Sequence, residues 1–521
     1  MQKTMKNYYL QPGWEIIPRE SGVELLPLND SQKPLFLENC REVPSVAGLF
    51  EALRSGISTK SVLPGYKSTL SKLIDRKVVV LHDEPTAAKK IPGYLGALYN
   101  HCVGHNGIVH SVSTVTHCEA ITISEAIGLS SKLIKYQPTL NYGWGADPSA
   151  VMAKIKAIVE CVERFALSNY SSENLRLATW KEVQRHSLTA RELNTSPNTL
   201  ISAGAIEWGK LDELNGSGSI YAPLDFLYHP VDYWSLGRLP VCPMNISGVA
   251  GHQTKEAAAV NAILELCEHE ALMVTWFGKR KTSTIKRGSM DTTSKNLIDL
   301  SERNGWRIIV KDISLDLVPV VMAIGLGPAG KRALTIGSSA AFSSKYAIKK
   351  AVLEVVRTIL MDESRLTKPS EIEEEKVNDI STHAQYYSAH KRLKQVEWLW
   401  EGSREVEAKD LMTHGRFMNR PLGEVAKLWE KGGDPERREL AYISEILGQA
   451  GQRVYLGDIT PKSIKDSPLP LVVVRALVPE MTRMVVGYNL RPAPTTRYRS
   501  LLKRYCPNKQ ASAPAKVHPF S

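Results

Sequence analysis

Three alanine-rich stretches of the chain, 148–167, 255–276 and 346–362, repeat apolar residues at helical spacing and predict helices. β-Branched runs at Trp306–Val310, Val318–Ile324 and Leu471–Leu477 predict strands, and a less regular run predicts another over Leu200–Trp208. Helical and strand segments alternating through residues 84–521 predict an α/β or α+β domain. Residues 1–83 form a pattern of their own. Short alternating segments around Trp14–Ile17, Val23–Leu26 and Leu35–Asn39 predict strands, Ser45–Leu53 and Lys67–Leu73 predict helices, and Lys77–Leu81 predicts a closing strand. A polar joint, Asp83–Pro85 and Ala87–Lys90, ends this module. Residues 368–420 are highly charged and expected to be helical, and the Pro-containing basic tail after Arg491 is expected to be extended.

The first two helices repeat each other. Ala157–Ala166 aligns without gaps on Ala262–Ala271, matching Glu160 with Glu265 and Glu163 with Glu268. Glutamates three apart share one helix face. On the first helix the acidic face borders the apolar stripe, and a Lys156–Glu160 pair on a solvated edge would explain it. The second helix is apolar around most of its circumference and is therefore expected to be buried. Glu265 and Glu268 would then enter the interior, where an unpaired carboxylate costs several kcal/mol. Two explanations stay open: a structural network, or divalent cations, for which four oxygen-donor glutamates suit Mg²⁺ and a polyphosphate. Gly-rich segments, Asn141–Ala146 and Asn245–Gly251, precede the two helices and are candidates to bring backbone N–H groups to phosphate oxygens.

Composition adds exclusions. The chain has 521 residues, 43% hydrophobic and 23% charged, which excludes disorder as the dominant state. Its most apolar stretch, Leu469–Val486, is interrupted by Arg475, Pro479, Glu480 and Arg483 and is not expected to span a bilayer. No signal-peptide pattern opens the sequence, and its seven cysteines include no CxxC pair, so a reducing cytoplasm is expected. The net charge of +12 would suit a polyanion, a nucleotide or an acidic peptide. With no long basic run, zinc-finger spacing or RNP-like pattern, neither nucleic acid nor membrane is expected as a partner. No Walker or GxGxxG motif is present. Cys102–His105 and His117–Cys118 lack a second pair at zinc spacing.

The segments GWGADPSAVMAKIKAIVECVERFA, SGVAGHQTKEAAAVNAILELCEHEALMVTW and AFSSKYAIKKAVLEVVRTI resemble the YcaO family. Within it they are most similar to the stand-alone cyclodehydratase (D-type) subunit of thiazole/oxazole-modified microcin biosynthesis. The resemblance implies a YcaO-type ATP-binding fold over residues 84–521, using ATP and Mg²⁺ to turn Cys, Ser or Thr of a ribosomal precursor peptide into azolines, as in bacteriocin and antibiotic pathways. It makes Glu160, Glu163, Glu265 and Glu268 metal–phosphate ligands. It also places Lys156, Arg164, Ser247, Gly248 and His269 at nucleotide-contacting positions and Glu354 at the third-helix glutamate. For Glu354, pairing with Arg357 is the alternative role. The family's C-terminus enters the active site, which would bring the carboxylate of Ser521 there. Residues 1–83 are similar to the winged-helix-like modules that capture leader peptides in such pathways.

Four positions depart from the family pattern: Lys156 stands for Ser, Ser247 for Asn, His269 for Arg and Glu270 for Asp. A near-neutral imidazole cannot imitate a guanidinium fork. A catalytically weakened scaffold or regulatory subunit is therefore one alternative function, and the resemblance itself leaves thioamidation or macroamidine formation, which use the same activation with another nucleophile, as a second. A ThiF/E1-like partner protein, a flavin-dependent dehydrogenase, and a homodimer or hetero-complex are the expected associations.

Overall fold

The structure is a computed structural model. It describes residues 93–507 except 105–106, 119, 135–136, 171–174, 366–368, 370, 402–403 and 412–433, together with 517–520 and the backbone of six strands before residue 93. Those strands are β1 (Lys6–Leu10), β2 (Trp14–Arg19), β3 (Gly22–Pro27), β4 (Leu35–Glu38), β5 (Ile57–Ser58) and β6 (Val79–Asp83). β2, β3 and β4 form an antiparallel meander, and β1 pairs between β5 and β6. The alternating segments thus coincide with β2, β3 and β4. β1 carries no such alternation and is defined by its distant partner β6. The expected helices Ser45–Leu53 and Lys67–Leu73 lie outside the described residues.

Three sheets, antiparallel but for one pair, build the rest of the described residues. The first contains β7 (Val109–Cys118), β8 (Ile121–Ile134) and β9 (Gln137–Asp147). The second has the order β10 (Leu175–Thr179), β11 (Ala205–Glu213), β19 (Tyr455–Asp458), β20 (Val472–Leu477), β13 (Val249–His252), with β12 (Ser219–Pro223) also on β11. The third has the order β17 (Leu334–Ala340), β16 (Val320–Leu326), β15 (Arg307–Asp312), β14 (Ser283–Ile285), β18 (Glu405–Val406), and only β14–β18 is parallel. The longer helices are α1 (Gly93–Cys102), α2 (Ala150–Ser168), α3 (Lys255–Phe277), α4 (Thr292–Arg303), α5 (Ser344–Arg365), α6 (Ile380–Tyr386), α7 (Pro435–Gln449) and α8 (Thr496–Tyr505). No helix among the described residues is long and apolar enough to cross a membrane.

α2, α3 and α5 are the predicted alanine-rich helices, and each lies between two sheets. α2 packs on the first sheet and on β13 of the second; α3 packs on β13 and β20 and on β16 and β17 of the third; α5 packs on β16 and β17 and on β7 and β9 of the first. Helices and sheets therefore alternate around a closed circuit. The alanines make the approach close. A Cβ on Gly143 or Gly145 of β9 would collide with the carbonyl oxygens of Ala157 and Ala153, and one on Gly337 of β17 would meet the backbone of α5. The glycines of Asn141–Ala146 thus sit within a strand, where helix packing requires them, and do not form a loop.

Three other expectations are corrected. The tail after Arg491 is not extended throughout: α8 occupies Thr496–Tyr505, capped by Thr495, which accepts the Tyr498 N–H at 3.2 Å. Leu200 belongs to a short helix, Pro197–Ser202, because Ser196 caps it by accepting the Thr199 N–H at 3.0 Å; strand β11 starts at Ala205. The described part of 368–420 contains α6, short 3₁₀ turns and β18 instead of continuous helix. There Arg392 donates to the carbonyls of Tyr386 and Ile372, so tertiary bonds replace regular ones.

Gly145→Ala should destabilise the protein by about 1–3 kcal/mol, the usual effect of overpacking. Urea unfolding followed by circular dichroism checks this. Unchanged stability would mean that α2 is not pressed against β9.

Candidate active site

The glutamate pairs face inward, and each carboxylate meets a backbone donor from a strand. From α2, Glu160 accepts the Trp144 N–H of β9 at 2.8 Å, and Glu163 accepts the Gly251 N–H of β13. From α3, Glu265 accepts the N–H groups of Gly248 and Val249 at 3.2 and 3.1 Å. Glu268 accepts the Ala340 N–H of β17 at 3.3 Å and the Ser338 hydroxyl. From α5, Glu354 accepts the Ser338 N–H at 3.1 Å. The three-residue step thus lets one helix reach both of its neighbouring sheets: Glu160 meets the first and Glu163 the second, Glu265 the second and Glu268 the third. α5 repeats the pattern as Ala351–Arg357, with Glu354 at the first acidic position and Arg357 at the second.

Electrostatic neighbours order the carboxylates into one row: Glu160 beside Glu163, Glu163 beside Glu265, Glu265 beside Glu268, and Glu268 beside Glu354. Burial, helped by Glu160 and Glu265 and opposed by the Gly251 hydrogen bond and Arg164, raises the pKa of Glu163 to about 8. Burial also raises Glu354 to about 7, with Glu268 adding to the effect and Arg357 and Lys350 opposing it. Glu265 and Glu268 are raised for the same first reason. The row is nevertheless reached by solvent at two points, since the side chains of Glu265 and Glu160 are 30% and 26% exposed.

Direct cationic pairing is confined to the margin. Arg164 binds Glu160 at 2.8 Å and lies over the Trp144 ring. Lys156 does not pair with Glu160; it bonds Asp147 at 2.8 Å and the Ala146 carbonyl at 3.1 Å. Arg357 makes no ion pair with Glu354 and acts on it only through the field. His269 and Ser247, two of the departures from the family pattern, touch: His269 Nδ1 and Ser247 Oγ are 2.7 Å apart, and Nε2 is 3.9 Å from Glu265 Oε1. Burial lowers the pKa of His269 against the pull of Glu265, which favours the neutral imidazole. Glu270 is separate from the row. It and Asp316 hold Arg497 in a buried triad, with Arg497 Nη2 2.7 Å from Glu270 and 2.8 Å from Asp316. Burial opposes the charge of Arg497, but the two carboxylates outweigh it and raise its pKa.

The Gly248 segment does present backbone N–H groups, but to Glu265 rather than outward, and Gly248 takes the φ of +86° that favours glycine. Val517, His518 and Phe520 are buried, whereas Ser521 lies outside the described residues. The described free cysteines, Cys102, Cys161, Cys242, Cys267 and Cys506, are buried, and burial raises the Cys102 thiol to about 12, unsuited to nucleophilic work. Sequence reasoning did not find the partners Trp144, Gly251, Ser338 and Ala340; the only local sign was the glycines that permit close approach.

The chemistry of the donor set is that of a hard-cation site: oxygen donors only, more negative charge than neighbouring cations neutralise, and access from solvent. Among the described residues no three His, Cys, Asp or Glu side chains close on one point. Mg²⁺ needs no such cage, because it commonly takes one or two carboxylates and completes its shell with waters and phosphates. The residues present fit it.

The family described as "YcaO cyclodehydratase, ATP- and Mg²⁺-binding" matches residues 143–482, which include all five carboxylates. The chain belongs to the YcaO family. Among solved structures it is similar to a "Heterocyclase in complex with substrate and Cofactor", with TM-score 0.61 and 16% identity over 97% of this chain; it spans 64% of that heterocyclase. The structure of YcaO from Methanopyrus kandleri bound with AMPPCP and Mg²⁺ aligns with TM-score 0.53 and 19% identity, covering 74% of this chain and 91% of that one. A chain of the E. coli microcin synthetase McbBCD complex with pro-MccB17 bound gives 0.52 and 13%, covering 79% and 96%. These similarities show a shared YcaO fold. No curated protein sequence matches the chain.

Neutralising a strained carboxylate should stabilise the fold without ligands. A carboxyl whose folded pKa is raised has its full stability below the unfolded value of 4.5 and loses it as pH rises toward about 8. Glu163→Gln removes that loss and keeps an acceptor for Gly251, so its Tm should exceed wild type by about 2–4 °C per kcal/mol recovered. The gain should be greatest above pH 8 and absent near pH 4.5. Glu270→Gln should instead cost about 3–5 kcal/mol, because it breaks a buried pair. Calorimetry without Mg²⁺ or nucleotide separates the two, and equal effects would contradict the assignment.

Proposed function

We propose that this protein is an ATP- and Mg²⁺-dependent peptide cyclodehydratase that forms azolines from Cys, Ser or Thr residues of a ribosomal precursor. The observation that carries this reading is the row Glu160–Glu163–Glu265–Glu268–Glu354, acidic beyond what its neighbours neutralise and partly open to solvent. Glu160, Glu163, Glu265 and Glu268 would hold Mg²⁺, with Glu354 closing the row. When bound, the metal offsets charge on the phosphates and on the departing oxygen.

The nucleophilic side chain adds to the carbon of the preceding amide and gives up its proton. The amide oxygen of this adduct then takes the γ-phosphoryl group of ATP, releasing ADP. The C–O bond breaks with departure of phosphate, while the nitrogen loses its proton and forms the C=N bond of the ring. Phosphorylation is needed because the oxygen of an amide is otherwise a poor leaving group. The protein's own part is largely positional: strand N–H groups fix each carboxylate, and a fixed arrangement removes reorganisation from the phosphoryl transfer.

In this reading residues 1–83 are a winged-helix-like module that receives the leader segment as an added strand. A ThiF/E1-like protein and a flavin-dependent dehydrogenase would be partners in a cytoplasmic complex. The contact between Ser247 and the neutral His269 favours one other reading, a weakened or regulatory subunit, because no guanidinium stands at that position.

Peptide-dependent ATP turnover decides between them. Glu265→Gln should abolish turnover while leaving circular dichroism unchanged, and wild type should remove one water per ring from the peptide by mass. No turnover by wild type with its precursor and partner would favour the regulatory reading. Exchange of oxygen for sulfur would instead indicate thioamidation.

A further inference from the structure

Two arginines outside the carboxylate row lie in the interior with no carboxylate bonded to either among the described residues. Arg475 of β20 is 1% exposed, and its Nη2 donates to the carbonyls of Phe226 and Asn245 at 2.9 and 2.7 Å. Arg483 is half-buried; its Nη2 donates to the Glu192 carbonyl, and its guanidinium carbon lies 4.2 Å from the centre of the Phe226 ring. Both guanidinium groups thus contact Phe226. On each of them Nη1 is enclosed and has no hydrogen-bond partner.

The carboxylates that act on these charges are engaged elsewhere. Glu265 acts on Arg475 only through the field, and its oxygen accepts the N–H groups of Gly248 and Val249. Glu192 acts on Arg483 in the same way, and its carboxylate accepts the Thr189 N–H and hydroxyl, both at 2.7 Å. Burial outweighs these attractions and lowers both arginines to about 10, with Arg475 adding to the effect on Arg483. A buried cation solvated only by carbonyl dipoles is costly, and an anion relieves that cost.

Beside Arg483 the surface opens into a recess whose walls include Asn194, Pro243, Met244, Arg483, Met484 and Val485. Its free volume is about 20 Å³, enough to seat the oxygens of one carboxylate or phosphate group and too little for a nucleotide. We propose that this recess is a binding site for a small oxyanion. Arg483 supplies the charge, a turn of its guanidinium brings the free Nη1 to the ligand, and Arg475 adds positive charge from the other side of Phe226. Inorganic phosphate and the carboxylate of an acidic side chain share this chemistry. The inference needs neither Mg²⁺ nor nucleotide and does not rest on the proposed function.

Hydrogen bonds join the walls of the recess to the segment that holds Glu265. The Met484 N–H donates to Ser247 Oγ at 3.3 Å, and Asn245, next to Met244, accepts the Ser247 N–H through Oδ1 at 3.1 Å. Gly248 and Val249 follow directly and donate to Glu265. An anion that draws these walls together orders residues 243–249 as well.

The test titrates the full-length protein with sodium phosphate and, separately, sodium acetate, at constant ionic strength and without Mg²⁺ or nucleotide. Calorimetry reads binding, and hydrogen exchange reads its place. At least one of the two anions should saturate a single site. Tighter binding of phosphate assigns the recess to the free ion, and tighter binding of acetate to a side-chain carboxylate. With the anion bound, exchange should slow across 243–249 and at Met484 while β16 is unchanged. Arg483→Met keeps an apolar stem over Phe226 and removes the charge, and should weaken binding by about tenfold or more, the loss of a charge-assisted hydrogen bond. Should Arg483→Met not fold, the wild-type exchange map decides alone. Saturation by neither anion, undiminished binding in Arg483→Met, or protection that appears only outside 243–249 and Met484 overturns the site.

Discussion

The arrangement depends on one electrostatic tension: carboxylates crowded into the interior, each held by a strand N–H group and most without a direct cationic partner. A backbone amide contributes only a partial charge, so it orients a carboxylate without neutralising it. The raised pKa values of Glu163, Glu265, Glu268 and Glu354 are the consequence. The fold tolerates this because α2, α3 and α5 are gripped between sheets, α2 and α5 by close alanine–glycine contacts, which leaves the glutamates little freedom to turn away. Packing energy elsewhere holds together a site that its own charges oppose.

The protein pairs charge fully where it needs rigidity. Five residues beyond Glu265, and so on another face of the helix, Glu270 is bound with Arg497 and Asp316 in a buried triad. The two glutamates sit on the same helix and differ in what faces them: Arg497 for one, solvent and strand amides for the other. Paired charges of that kind fix geometry, whereas charges left unpaired in a cleft are available to a ligand.

Much of this was legible in the sequence because helical periodicity is local. The three alanine-rich helices, the strands around Trp306–Val310, Val318–Ile324 and Leu471–Leu477, and the burial of 255–276 all appear in the structure. The E-x-x-E spacing also announced a shared face. What the sequence did not disclose was non-local. Nothing marks His383 as the partner of His518 across 135 positions, nor Ser338 as a donor to both Glu268 and Glu354. Gly143 and Gly145 misled because glycine serves turns and close packing alike, and only the facing carbonyls of Ala157 and Ala153 distinguish the two. Lys156 misled similarly, since Asp147 lies on a preceding strand that helical spacing does not reveal.

If the carboxylate row is a Mg²⁺–nucleotide site, occupying it must drive protons off the protein, because Mg²⁺ takes the ionised carboxylates. Isothermal titration with a nucleotide already saturated in Mg²⁺, repeated in buffers of different ionisation enthalpy, measures that number directly. Near pH 7, where Glu163 with a pKa of about 8 is still largely protonated, release of about one proton per site is expected, declining as pH rises beyond 8. Binding without proton release, or no binding at all, would contradict the account.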